Sequence, residues 1–150
     1  MNPADCYHTG LVVDDMAAAA ERLTRAMGYR WTKPVDAALS VATAADGDIE
    51  VPFRFVYSVD APHLELIQAV PGTIWTPPPG GGAHHLGYWV DDMAGAAAQL
   101  ERSGYRLEAR PSGETLSMFA YYVDPAGVRI EIVDRALFPD WPGFLQSMAA

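Results

Sequence analysis

The chain is poor in cysteine, in basic side chains and in long apolar runs. A single cysteine, Cys6, in 150 residues excludes an internal disulfide and a cysteine-rich metal motif, and it suits a reducing compartment. Ten Lys and Arg stand against nineteen Asp and Glu, a formal net charge of −9. That leaves no basic stripe for a phosphate backbone or an anionic membrane surface. No apolar run approaches the roughly 18 residues of a membrane span, and the opening MNPADCYHTG has no basic segment leading into an apolar one. These absences point to a cytoplasmic protein that binds neither nucleic acid nor membrane. Half of the residues are apolar, enough for the core of one ordinary domain.

Self-similarity organises the sequence. The stretch from His8 to Ala17, HTGLVVDDMA, returns 77 residues later from His85 to Ala94 as HLGYWVDDMA, and Gly28-Tyr29-Arg30 returns as Gly104-Tyr105-Arg106. In each copy a short apolar strand leads to an aspartate pair that can cap a helix. Met16, Ala19, Ala20, Leu23 and Met27 then fall at helical spacing until Gly28; Met93, Ala96, Ala97 and Leu100 do so until Gly104. Three strand-like stretches follow each helix, about residues 39–43, 51–57 and 63–69 in the first copy and 105–109, 116–123 and 128–133 in the second, with turn signals between them. The expected fold is α+β, two βαβββ modules over residues 1–76 and 83–135. A Pro/Gly linker of residues 77–82 separates them, and an aromatic tail of residues 136–150 follows. The linker lacks the Lys and Ser/Thr of a phosphate-binding loop.

Side chains alternate between the two faces of a strand. Placing Leu11 and Val13 toward a covering helix turns His8, Gly10 and Val12 the other way. The same reasoning groups His63, Glu65 and Ile67, then His85, Gly87 and Trp89, then Arg129, Glu131 and Val133. His8, Glu65, His85 and Glu131 therefore emerge on the face opposite the helices. Each carboxylate sits in a strand of Leu, Ile and Val, where an unpaired charge is expensive, so a partner is implied. Two neutral imidazoles and two carboxylates are a natural ligand set for a divalent first-row metal, Zn, Ni, Co, Mn or Fe. A single histidine on such a strand is ordinarily a core residue; the repeat relation and the matched glutamates favour a metal site.

HTGLVVDDM, HLELI, HHLGYWVDDM and DPAGVRIEIVD resemble the repeated motifs of the vicinal oxygen chelate superfamily, the group of glyoxalase I, methylmalonyl-CoA epimerase, extradiol dioxygenases and bleomycin-resistance proteins. The resemblance runs from about Tyr7 to Asp134. It implies a cupped mixed sheet with the helices outside and a metal at its centre, held by His8, Glu65, His85 and Glu131. Extradiol dioxygenases use two histidines and one glutamate on iron, and the bleomycin-resistance branch binds its ligand without a metal. Four ligand positions favour the isomerase and epimerase branches. In that reading the metal polarises two vicinal oxygens of a small metabolite, and Glu131 or Glu65 abstracts the adjacent C–H proton. A metal-free small-molecule binding or resistance protein is the alternative from another class, and an extradiol-type dioxygenase is the third reading.

Around the metal residues, Trp89 shares the parity of His85 and is the leading candidate for the substrate pocket, with His63, Tyr121 and Phe53 named beside it. His84 has the opposite parity from His85 and is a neighbour, not a ligand. Arg129 could anchor a substrate anion, whereas Arg54 is expected on the solvent side and Asp48 and Glu50 in a surface turn. Cys6 is either a buried small thiol or a lining residue of the cup. The tail is too apolar to remain in solvent, so it is expected to pack over the cup or across a homodimer interface.

Overall fold

The computed structural model describes all 150 residues, Met1–Ala150. Eight strands and three α-helices alternate as β1 (Cys6–Val13), α1 (Met16–Met27), β2 (Val35–Thr43), β3 (Gly47–Tyr57), β4 (Leu64–Gln68), β5 (His85–Val90), α2 (Met93–Arg102), β6 (Arg106–Pro111), β7 (Phe119–Val123), β8 (Arg129–Asp134) and α3 (Trp141–Met148). The order βαβββ occurs twice before α3, in an α+β chain. No helix is long and apolar enough to cross a membrane.

The chain forms two compact units. One, here the His8 unit, comprises residues 8–37, 52–84 and 140–150; the other, the His85 unit, comprises residues 1–7, 38–51 and 85–139. In the His8 unit β1 runs parallel to β4, with Gly10 opposite Glu65, and β3 runs antiparallel to β4, with Tyr57 opposite Glu65. In the His85 unit β5 runs parallel to β8, with Gly87 opposite Glu131, and β7 runs antiparallel to β8, with Tyr121 opposite Glu131. The two repeats therefore share pairing and register as well as element order. Within the His85 unit the end of β2 also pairs with β6, Val41 opposite Pro111.

Each helix is capped by the second aspartate of its pair. The Asp15 carboxylate accepts the backbone N–H of Ala18 at 2.9 Å and that of Asp92 accepts the N–H of Gly95 at 3.0 Å, satisfying donors that the first turn leaves open. Gly28 ends α1 in the left-handed conformation, φ +81°, which costs a residue with a Cβ more than it costs glycine. Met16, Ala19, Ala20 and Leu23 pack with Leu11, Val13, Val56 and Leu66. Met93, Ala96, Ala97 and Leu100 pack with Val90, Ala120, Tyr122, Ile130 and Ile132. The helix-facing strand residues are those that alternation assigns.

Four local readings change. Met27 is exposed, as is the rest of the last turn of α1, residues 24–27. The strand read from Leu116 begins at Phe119, since Met118 has φ +64° and breaks the extended backbone. β2 starts at Val35, four residues before Leu39. The tail contains a regular helix, α3, capped where the Asp140 carboxylate accepts the N–H of Gly143, with Leu145 buried.

Candidate metal centre

In the His8 unit, the face of β1 opposite α1 carries His8, and parallel pairing with β4 brings Glu65 beside it. His8 Nε2 and Glu65 Oε2 are 3.3 Å apart. In the His85 unit the same construction on β5 and β8 puts His85 Nε2 3.3 Å from Glu131 Oε2. All four residues are buried, from 2% exposed for each histidine to 7% for Glu131.

An aromatic ring supports each imidazole. Tyr57 meets His8 edge-on with ring centroids 5.6 Å apart, and Tyr121 meets His85 at 5.2 Å. Each tyrosine leans in turn on the phenylalanine two residues earlier, Phe55 at 5.4 Å and Phe119 at 5.8 Å. Tyr121 is among the pocket candidates named from the sequence, whereas its counterpart Tyr57 and the Phe-x-Tyr repeat that relates them are not. The signal that could reveal them is the recurrence of Phe55-Val56-Tyr57 as Phe119-Ala120-Tyr121, which only two identical letters carry.

The donor set suits a divalent cation. Two ligand atoms each about 2.1 Å from one ion, at tetrahedral or octahedral angles, lie roughly 3.0–3.4 Å apart. The 3.3 Å separation in both pairs falls in that interval and is longer than a good direct hydrogen bond. Imidazole nitrogen with carboxylate oxygen is the ligand chemistry of Zn, Ni, Co, Mn and Fe. Within each unit the buried histidine and glutamate present one nitrogen and one oxygen of the kind that could hold a metal ion.

The other candidate side chains have protein partners of their own. His84 Nε2 lies 2.7 Å from the Ile74 carbonyl, and His63 Nδ1 lies 3.1 Å from that of Ser58, with its ring edge-on to Trp141 at 5.8 Å. Trp89 stacks on Tyr7 at 3.5 Å and lies 5.6 Å from Phe138. Phe53 meets Trp75, which is fully buried. Arg54 is half-exposed and donates to Asp36. Asp48 accepts from Ser112, and Glu50 accepts from Ser40.

Arg129 donates through Nε and Nη2 to the Glu108 carboxylate at 2.5 and 3.2 Å. Glu108 reaches it from a bulge in β6, where the register slips between Leu107 and Ala109, a device that re-aims a side chain. Arg129 is thus matched to a carboxylate of this chain. Cys6 is exposed; burial, and then the thiol beside it, push the Tyr88 phenol above its ordinary value.

Residues 7–122 match the family model described as Glyoxalase/Bleomycin resistance protein/Dioxygenase superfamily. Among solved structures, a methylmalonyl-CoA epimerase from Streptomyces coelicolor in complex with 2-nitronate-propionyl-CoA gives a TM-score of 0.57 at 18% identity, covering 87% of this chain and 96% of that one. The methylmalonyl-CoA epimerase of Mycobacterium tuberculosis gives 0.52 at 20% identity, covering 87% of each chain. A hypothetical protein from Bacillus halodurans C-125 gives 0.59 at 15% identity, over 86% of this chain and 92% of that one. No curated protein sequence matches the chain. At these identities the likeness to solved structures establishes the fold.

Proposed function

Because the chain belongs to the glyoxalase, bleomycin-resistance and dioxygenase superfamily, we propose that it is a divalent-metal-dependent isomerase, epimerase or lyase that abstracts a proton next to two vicinal oxygens of a small metabolite. The observation that carries this reading is the repeated pair, His8 with Glu65 and His85 with Glu131, each buried and each with its ligand atoms 3.3 Å apart. Those four residues would hold the cation. When bound, the cation supplies a Lewis acid that polarises the two substrate oxygens and lowers the cost of removing the adjacent proton.

The chain's own residues do the rest. A carboxylate has two oxygens, so Glu131 can keep Oε2 beside His85 while Oε1 accepts the proton and returns it to carbon; Glu65 can do the same beside His8. Return of the proton to the neighbouring carbon is isomerisation; epimerisation would need one carboxylate to take the proton and the other to deliver one to the opposite face of the same carbon. Burial of both carboxylates limits the water that would compete for the proton.

The test combines metal analysis with isotope exchange. Gently purified protein is expected to carry about one divalent ion per chain, lost in His8→Ala. Hemithioacetals of 2-oxoaldehydes and acyl thioesters, incubated in D2O with restored metal, are expected to gain deuterium at carbon without oxygen uptake. Oxygen uptake with a catechol would instead indicate a dioxygenase. Apolar ligand binding without metal or turnover would indicate a binding protein.

A further inference from the structure

The C-terminal helix does more than cover apolar surface. It is pinned at both ends: Asp140 caps its start, and at its finish the Lys33 N–H donates to the Met148 carbonyl at 2.7 Å while the Ala150 N–H donates to the Trp31 carbonyl at 3.0 Å. Between these ends Leu145 is buried. Trp141, the first helical residue, is thereby set edge-on against Tyr57, with ring centroids 4.9 Å apart and planes at 85°. Phe144 stacks on Trp141 at 5.7 Å. Tyr57 in turn meets His8 at 5.6 Å.

The backbone of Tyr57 is tied to the same segment. Its N–H donates to Thr32 Oγ1 at 3.0 Å, its carbonyl accepts the Thr32 N–H at 2.9 Å, and Thr32 forms a bridge with Ala149. Rotation of an imidazole about its last torsion is a broad well. The direction in which His8 aims its ring nitrogens is therefore set both by its polar partner Glu65 and by what packs against the ring.

We infer that Trp141 is a positioning residue for His8, acting through Tyr57, so that the C-terminal helix sets the aim of the first ligand pair. The metal consequence rests on the proposed function; the ring orientation does not. A residue that supports a metal ligand typically contributes about 10- to 100-fold in affinity, and one acting through an intermediary ring falls at the lower end, about 10-fold.

The experiment uses the full chain and three variants. Trp141→Leu keeps an apolar side chain but removes the ring, Trp141→Phe keeps a ring, and Leu145→Ala weakens helix docking while leaving the Trp141 ring in the chain. The imidazole 1H–15N signals of His8 and His85, assigned by single substitution, are recorded at fixed pH in metal-free protein, and Zn affinity is then measured by chelator competition. Trp141→Leu is expected to move the His8 signals, leave those of His85 in place and weaken Zn binding about 10-fold; Trp141→Phe is expected to restore both. Leu145→Ala, by loosening the helix that carries Trp141, is expected to move the His8 signals less than Trp141→Leu does; unmoved His8 signals in Trp141→Leu, or His85 signals that move as far as those of His8, would overturn the inference. If the unsubstituted protein binds no Zn, the metal reading fails while the His8 signals still decide the positioning role.

Discussion

Replacing Glu131 by Gln keeps the shape of the side chain and removes its charge, and its effect on metal-induced stabilisation follows from the number of ligands. Four-ligand structural zinc sites bind with about 10–16 kcal/mol, or about 2.5–4 kcal/mol for each ligand, which corresponds to roughly 10²- to 10³-fold in Kd. At a free metal concentration 100 times Kd the unsubstituted protein gains about 2.7 kcal/mol, an upward shift of about 5–11 °C in Tm for a chain of this size. With Kd raised 10²- to 10³-fold the gain at the same concentration falls to about 0.1–0.4 kcal/mol, less than about 2 °C. The assay is calorimetry with and without chelator, so that the difference for each variant cancels any effect on the fold itself. Because the two pairs are equivalent in register and in separation, His8→Ala, Glu65→Gln and His85→Ala are expected to give the same loss. A Glu131→Gln protein that keeps its full metal shift would refute the four-ligand reading. So would a loss confined to one of the two pairs.

Two further predictions concern the surroundings. Burial, reinforced by the nearby Glu101 carboxylate, pushes the Tyr122 phenol up to about 12, so the neutral phenol is favoured in the fold. Its contribution to stability is complete below about pH 10, the ordinary value for a phenol, and is lost between there and about pH 12. Absorbance titration of tyrosinate should show a late-titrating group that Tyr122→Phe removes, and loss of a group titrating at the ordinary phenol value would contradict this. In the other case, Glu108→Gln leaves the mostly buried guanidinium of Arg129 without its counter-charge and should cost about 3 kcal/mol in urea unfolding; a cost below about 1 kcal/mol would show that the pair is solvated.

Much of the site is legible in the residue order. His8, Glu65, His85 and Glu131 stand at repeat-related positions in strands whose other residues are apolar, and alternation alone puts the helix-facing residues Leu11, Leu66, Val90 and Ile132 on the opposite side. Tyr121 is named from the sequence only as a pocket candidate, and the support that Tyr57 and Tyr121 give to the two histidines is harder to read. Tyrosine in an aromatic strand is ordinary core composition, and its contact with a histidine becomes visible only once β3 is seated against β4 and β7 against β8. Arg129 illustrates a different difficulty, because its partner Glu108 comes from a bulge, and a bulge shifts parity without any mark in the residue types.

Residue order is enough to establish the two βαβββ repeats, their capped helices, the buried face of every strand that carries one of the four candidate residues, and which four residues those are. Those features rest on local chemistry: side-chain alternation, helical spacing and the hydrogen-bonding of an aspartate at a helix start. Three features wait on the packed chain: the separation of 3.3 Å between His8 and Glu65 and between His85 and Glu131, the Arg129–Glu108 pair and the seating of Trp141 on Tyr57. Backbone hydrogen bonds between strands are chemically alike whichever strands meet. Neighbours and register are therefore chosen by packing between residues tens of positions apart, such as Met16 with Leu66 and Ala96 with Ile132.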